Sequence, residues 1–429
     1  MELFCLRQLR VFHLIEAEVT YDKADWISRF PESGTCLESL IIYCVKCPIN
    51  FDALENLVAR SPSLTKLRVN RFVTLEQLYR VMVRALQLTH LGTGSFSPSE
   101  NTCDQGPDLF PDLRYLPNLI TLDLAENQIF GDIPYWIWNV GNGGLQFLNL
   151  SVNKLEKLQK PYVIHNVSSI DLRCNHLCGE VPIPLRDVHF IDYSNNFFSS
   201  IPSQFNLTSA IFFSVSSNRL SGTIPVSICS GTNLKVLDLS NNCLTVWKAM
   251  RDGRNDVNVL GFESLRFGGS RKTYQDAVTI SIKGQRLDLV KILNIYTSID
   301  ISNNHFEGNI PHTISELKSL GSLNMSHNTL SGSIPNSFGT IKVLETLDLL
   351  VNKLTGKNPL ELGDISFLKV LDLSYNQLSG KIPTGSQIQT FPEASFEGNK
   401  KLCGPPLHIN CIRILFMTAA YDDGDSGDS

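Results

Sequence analysis

IDISNNHFEGNIP (299–311) is followed by LNMSHNTLSGSIP (323–335), LDLLVNKLTGKNP (347–359) and LDLSYNQLSGKIP (371–383). Asn304, Asn328, Asn352 and Asn376 close the same phrase at intervals of 24 residues. A fixed period of roughly 20–29 residues carrying L-x-L-x-x-N-x-L marks a leucine-rich-repeat solenoid. Such a chain has no single central core. It offers a long concave face lined by short parallel strands, which suits it to binding another macromolecule.

Each position in the phrase has a physical task. In the last unit, Leu368, Leu371, Leu373 and Leu378 are expected to point inward and stack on their equivalents next door. Burying one such side chain contributes roughly 1.5–3 kcal/mol. Asp372 alternates outward from the strand, onto the concave face. The Asn376 amide stands where the chain turns inward and can satisfy buried backbone groups. Gly380 relaxes the backbone, and Ile382-Pro383 forms an extended segment on the opposite face. Further anchors fall at Asn127, Asn153, Asn175, Asn196, Asn218 and Asn242, spaced by 26, 22, 21, 22 and 24 residues, which makes ten repeats in all. The unit near Leu158 lacks the Gly-x-Ile-Pro tail, and in the unit ending at Pro359 Asn358 takes the place of the tail isoleucine.

Between Asn242 and Asn304 the gap widens to 62 residues. The excess reads as an island, 246–295, with nine Lys/Arg against five Asp/Glu on a chain of net charge −5. Val278, Ile280 and Ile282 alternate with Thr279, Ser281 and Lys283, the period of a strand. Long insertions on a rigid scaffold often carry function, and equally often are solvated excursions. The last nine residues, YDDGDSGDS, contribute four negative charges and read as a disordered tail.

Chemistry is scarce. There is no P-loop, no G-x-S-x-G and no H-E-x-x-H motif, and Gly92-x-Gly94 lacks the rest of a dinucleotide loop. Asp123, Asp171, Asp238, Asp300, Asp348 and Asp372 recur once per repeat and read as solvated residues of the strand face rather than a catalytic pair. Cys44 and Cys47 have the spacing of a metal or redox motif but no second ligand pair near them, so no metal and no cofactor are expected. Cys174 and Cys178 read as semi-buried small residues. No basic stripe with interleaved aromatics argues for nucleic acid, and no small-molecule substrate is evident. Four N-x-S/T sequons fall at Asn149, Asn166, Asn206 and Asn324. MELFCLRQLRVFHLIEAEV does not read as a signal peptide, because Arg7, Arg10 and Glu16 break its apolar runs. The apolar run 411–420 is too short for a membrane span, which needs about 20 residues.

Two resemblances follow. Residues 107–411 resemble plant receptor-like proteins of the disease-resistance class. The phrases that carry this are IFFSVSSNRLSGTIPVSICSGTNLKVLDLSNN, TYQDAVTISIKGQRLDLVKILNIYTSIDISNNHFEGNIP and GKIPTGSQIQTFPEASFEGNKKLCGPPL. The resemblance implies an extracellular solenoid at the plasma membrane that signals through partner kinases. It also implies a closing disulfide between Cys403 and Cys411. Residues 1–98 resemble a piece of the auxin-receptor F-box family, through DWISRFPESGTCLESL and PINFDALENLVARSPSLTKLRVNRFVTLEQLYRVMVRALQLTHLGTGSFSPSE. That family recognises substrates of a ubiquitin ligase. Its repeats carry true helices, and 51–60 and 74–85 show the spacing: Leu54, Leu57, Val58; Leu75, Leu78, Val81, Met82. Strand cores fall near Leu40, Leu67 and Leu91.

The expected organisation is therefore F-box-type repeats over 1–98 without the F-box, a junction at 99–106, and plant-type repeats over 107–245. The island 246–295, further repeats over 296–383, a cap at 384–411 and the acidic tail 412–429 complete it. The expected function is non-enzymatic: binding a protein or peptide ligand, with a co-receptor or adaptor kinase as partner. Candidate contacts are Arg266, Arg271, Lys272, Tyr274, Gln275 and Lys283 of the island, and Asp300, Asn324, Asp348 and Asp372 of the strand face. The alternatives are an intracellular substrate-recognition fragment of the ubiquitin-ligase pathway, or a chimera of two genes without function. In the last case, differing repeat curvature at the join would leave strand edges exposed.

Overall fold

The computed structural model describes residues 8–15, 24–32, 35–43, 49–69, 75–93, 110–161, 164, 166–183, 188–205, 207–225, 228, 233–247, 278–282, 285–289, 297–383 and 387–411. The junction 99–106, the tail 412–429, Cys44, Cys47, Asn206 and all six island candidates (Arg266, Arg271, Lys272, Tyr274, Gln275, Lys283) lie outside the described residues.

Short L-x-L segments make short strands. Parallel strands form the leucine-rich-repeat sheet of each compact unit: among the described residues, eight in the unit spanning Met1–Phe198 and six in the unit spanning Ser199–Ser429. The first unit contributes Val11–Ile15, Ser39–Tyr43, Lys66–Val69, His90–Thr93, Thr121–Asp123, Phe147–Asn149, Ser169–Asp171 and Phe190–Asp192. The second contributes Phe212–Ser214, Val236–Asp238, Ser298–Asp300, Ser322–Asn324, Thr346–Asp348 and Val370–Asp372. Register follows the leucines: Leu40 lies beside Leu67, Leu67 beside Leu91, and Leu91 beside Leu122. In the second unit Leu237, Ile299, Leu323, Leu347 and Leu371 form one buried row.

The opposite layer changes along the first unit. Helix α1 (Phe51–Ala59) starts where the Asn50 side chain accepts the Ala53 N–H at 3.1 Å, and it buries Leu54, Leu57 and Val58. Helix α2 (Leu75–Val83) buries Leu78, Val81 and Met82. In the plant-type repeats the layer is a short extended segment and a 3₁₀ turn, as at Tyr135–Asn139, His312–Glu316, Asn336–Thr340 and Leu360–Asp364. Each of these turns follows a proline, which ends the extended segment and has no N–H to leave unpaired. The strand Val11–Ile15 and the 3₁₀ turn Ala24–Arg29 were not legible in the broken apolar runs of the N-terminus.

The join between repeat types leaves no strand edge open. His90–Thr93 pairs in register with Thr121–Asp123, and the Thr89 carbonyl accepts the N–H groups of Ile120 and Thr121 at 2.8 and 3.0 Å. The island is bypassed in the same way, since Val236–Asp238 pairs directly with Ser298–Asp300. Val278–Ile282 forms the strand its alternation suggests, antiparallel to Gln285–Leu289 and outside the main sheet.

An asparagine ladder ties each repeat to the one before it. The Asn352 Nδ2 donates to the carbonyls of Leu349 and Met325, and its Oδ1 accepts the Leu330 N–H, all at 3.0–3.1 Å. Asn153, Asn175 and Asn196 in the first unit repeat the pattern, as do Asn242, Asn304, Asn328 and Asn376 in the second. Asn399, in the cap, makes an unanticipated further rung, accepting the Leu378 N–H and donating to Leu373.

One repeat departs from its neighbours. Ile310, Ile334 and Ile382 are buried at the tail position, and Asn358 replaces them with neither amide atom hydrogen-bonded within the chain. Burying such a group unpaired costs about 1–3 kcal/mol. Asn358→Ile should therefore raise the free energy of unfolding by about 1–2 kcal/mol in urea denaturation of the full chain. Asn352→Ala strands a buried N–H and two carbonyls, and should lower it by about 2–4 kcal/mol.

Candidate functional site

The outward residue of each L-x-L strand forms a polar column. In the first unit it reads Asp123, Asn149, Asp171, Asp192; in the second Ser214, Asp238, Asp300, Asn324, Asp348, Asp372. The carboxylates were expected to be solvated. Four are buried instead: Asp171 is 8% exposed, Asp238 and Asp300 6% and Asp348 4%, while Asp123 and Asp372 are half-buried; the Asn324 amide in the same column is 8% exposed. The reason is local. Each Asp or Asn Oδ1 accepts the backbone N–H two residues on, closing a turn as the strand ends. Asp300 does this for Ser302 at 2.9 Å, Asn324 for Ser326, Asp348 for Leu350 and Asp372 for Ser374, the last three at 3.1 Å. The column is thus structural as well as surface-lining, and only part of each carboxylate faces outward.

Neutralisation differs between the units. In the first, Arg68 Nη2 reaches Asp123 at 3.0 Å, passing over Gly92 on the intervening strand. A Cβ on Gly92 would stand 2.9 Å from Arg68 Cγ, so the glycine keeps this path open. Arg173 lies 3.6 Å from Asp171 and 3.9 Å from Asp192, neighbours in register. In the second unit Asp238 and Asp300 are also neighbours in register, and no cationic side chain of the described residues lies within ion-pair distance of either. Ser214 Oγ donates to Asp238 Oδ2, and Asn324 Nδ2 donates to Asp300 Oδ2, both at 3.2 Å. Burial, and then the Asp238 charge, push the Asp300 carboxyl up to about 7 against the hydrogen bonds from Ser302 and Asn324.

A second column, just before each ladder asparagine, was not singled out in the sequence. Asn303, His327, Val351 and Tyr375 have φ of 51–53° and are exposed. Val351 and Tyr375 are 40% and 53% exposed. Asn tolerates this left-handed conformation, whereas a β-branched valine adopts it rarely. The signal available was that three apolar residues, Val152, Val351 and Tyr375, occupy a position filled elsewhere by Asn195, Asn241 and Asn303.

The remaining sequence candidates are dispersed. Asn166 is exposed and donates to the Gly143 carbonyl at 2.9 Å, whereas Asn149 and Asn324 sit within the strand-face column. A glycan on Asn324 would displace its bond to Asp300. Cys403 and Cys411 are joined by a disulfide. Cys174 and Cys178 carry thiols and are exposed rather than semi-buried. Among the described residues no cluster of three or more His, Cys, Asp or Glu is placed to hold a metal ion, and no helix is long and apolar enough to cross a membrane.

Arg173→Met should leave two adjacent buried carboxylates without a cation. Loss of about 1 kcal/mol of stability at pH 7.5, and little loss at pH 4, is the expected outcome of denaturant titrations at the two pH values.

Comparison with known proteins agrees with this geometry. The Leucine Rich Repeat family profile matches residues 118–140, 233–249, 297–317, 319–341 and 367–387. The F-box protein FBX14 of Arabidopsis thaliana is 58% identical over 117 residues, 27% of this chain and 19% of that protein. Receptor-like protein 35 of the same plant is 34% identical over 253 residues, 56% of this chain and 25% of that protein. The chain thus spans a quarter or less of either relative. Among solved structures, the leucine-rich-repeat ectodomain of the Arabidopsis receptor kinase GASSHO1/SCHENGEN3, in complex with CASPARIAN STRIP INTEGRITY FACTOR 2, superposes with a TM-score of 0.66. The match has 26% identity and covers 94% of this chain and 43% of that one. The plant peptide hormone receptor RGFR1 follows at a TM-score of 0.60 and 22% identity, covering 94% of this chain and 61% of that one, a likeness of fold. The chain is a leucine-rich-repeat solenoid, similar in one part to plant F-box proteins and in another to plant receptor-like proteins.

Proposed function

We propose that this chain is a non-enzymatic binding solenoid whose strand face takes a protein or peptide ligand, in plant defence or developmental signalling through a partner kinase. The observation that carries the reading is the pair of columns on the last repeats. Buried carboxylates preset the face, and beside them the left-handed turn that each repeat makes before its ladder asparagine holds Val351 and Tyr375 exposed, two large apolar side chains presented to a partner rather than packed. The receptor-kinase ectodomain above, a leucine-rich-repeat fold, is in complex with CASPARIAN STRIP INTEGRITY FACTOR 2. By the same reading the island residues Arg266, Arg271, Lys272, Tyr274, Gln275 and Lys283 add cationic, aromatic and amide contacts, and of the strand-face candidates Asp300, Asn324, Asp348 and Asp372 the last is the most accessible. The plasma membrane, with the solenoid outside the cell and a glycan on Asn166, is the setting this function requires.

A second reading follows from the 58% identity to an F-box protein: a substrate-recognition fragment acting within a ubiquitin ligase. Crosslinking mass spectrometry on the full chain expressed in plant cells separates the two. Receptor kinases crosslinked near residues 351–375, lost with Tyr375→Asp plus Asp372→Lys and kept with Leu360→Asp on the other layer, are expected. Recovery of ligase subunits through residues 8–93 instead would establish the second reading and overturn the first.

A further inference from the structure

The sheet contains an internal comparison. Asp171 and Asp192 are paired on neighbouring strands with Arg173 between them; Asp238 and Asp300 are paired the same way with Ser240 where Arg173 would be. All four carboxylates are at most 8% exposed. Two buried carboxylates side by side, with no cation of the described residues beside them, repel each other when both are charged, so Asp300 is held toward its protonated form.

We propose that Asp300, buried beside Asp238 of the neighbouring strand, is a protonation site that makes the Ser199–Ser429 unit a pH-sensitive device, tightest in acid and loosened as pH rises to neutrality. The groups around the pair are few. Ser214 and Asn324 donate from the flanking strands to the outer Oδ2 atoms. Ser240 and Ser302 donate backbone N–H groups to the Oδ1 atoms, and Ser240 adds its hydroxyl to Asp238 at 2.7 Å. Lys235 opens the strand that ends at Asp238 and is itself buried, which lowers its own tendency to be charged. Asp348, the next carboxylate along the column, is separated from Asp300 by Asn324. The outer donors hold each Oδ2 in place, and a proton on Asp300 relieves the repulsion that remains among the described residues.

The direction of the effect follows from linkage. The Asp300 carboxyl sits at about 7 in the folded chain against an ordinary value of 3.8, so the folded state binds a proton that the unfolded state has released. Stability is then greatest below the ordinary value, falls as pH rises through the window between the two, and is level above it. Within that window each pH unit multiplies the opening equilibrium about tenfold.

The test is hydrogen exchange read by mass spectrometry on the full chain at pH 5 and pH 8, corrected for intrinsic exchange. Opening of peptides containing 236–240 and 298–302 should increase at least tenfold at pH 8, while peptides containing 169–173 and 190–194 change little. Asp300→Asn keeps the Oδ1 acceptor and should abolish the increase; Ser240→Arg, which transplants the cation of the other pair, should do the same by a different route. An increase that persists in both variants, or that is equal in the two strand pairs, overturns the proposal. Should one variant fail to fold, the other and the wild-type comparison of the two peptide sets still decide it.

Discussion

The structure depends on one hydrogen-bonding constraint: a buried asparagine that must satisfy backbone groups of two successive repeats at once. Asn304 shows its strength, accepting the N–H of Leu244 and donating to the carbonyl of Leu239 although about sixty residues separate them in the chain. Because the amide bonds are short and directional, the next repeat is admitted at only one height and one register. Everything inserted between rungs must leave and return without disturbing that spacing. The cap obeys it too, through Asn399 and Leu378.

The constraint determines what the strand face can offer. Once the asparagine turns the chain inward, the outward residue of L-x-L lies two positions before a backbone N–H that the strand ladder leaves to it, and Asp or Asn accepts that N–H and closes the turn. The same geometry then stacks acidic side chains in a column, where burial makes their charge costly. Arg68 and Arg173 offset this in the first unit. In the second unit burial beside Asp238 favours the protonated form of Asp300, and exposed turn positions carry Val351 and Tyr375.

The join between repeat types follows the same logic. F-box-type repeats carry helices behind their strands and plant-type repeats carry extended segments, yet the strands themselves have one spacing. Asn127, the first ladder asparagine, finds Thr93 Oγ1 at 3.0 Å in place of the usual carbonyl, in addition to Leu124 and Ala125 of its own turn. Arg68 crosses Gly92 to reach Asp123. Segments of differing resemblance therefore meet through a threonine hydroxyl, a glycine gap and an ion pair, none of which either repeat consensus would predict.

The period of the asparagines and the leucines around them was enough to establish the solenoid, the inward residues and the two helices of the first repeats, because hydrophobic spacing and turn chemistry are local. The strand at Val278–Ile282 was legible for the same reason. The burial of Asp300, Asn324 and Asp348 was not, since whether an outward side chain meets water depends on neighbours a full repeat away. Asn399 was hidden because its unit lacks the L-x-L phrase, and only the stacking of the cap on Leu373 and Leu378 reveals its place. Asn358 could be seen in the sequence as a departure from isoleucine, but that both of its amide atoms stay unpaired is a property of the packed layer. Sequence alone thus determined the repeat and its period; the tertiary structure decided which polar groups are buried together, because that requires strands distant in the chain to lie side by side.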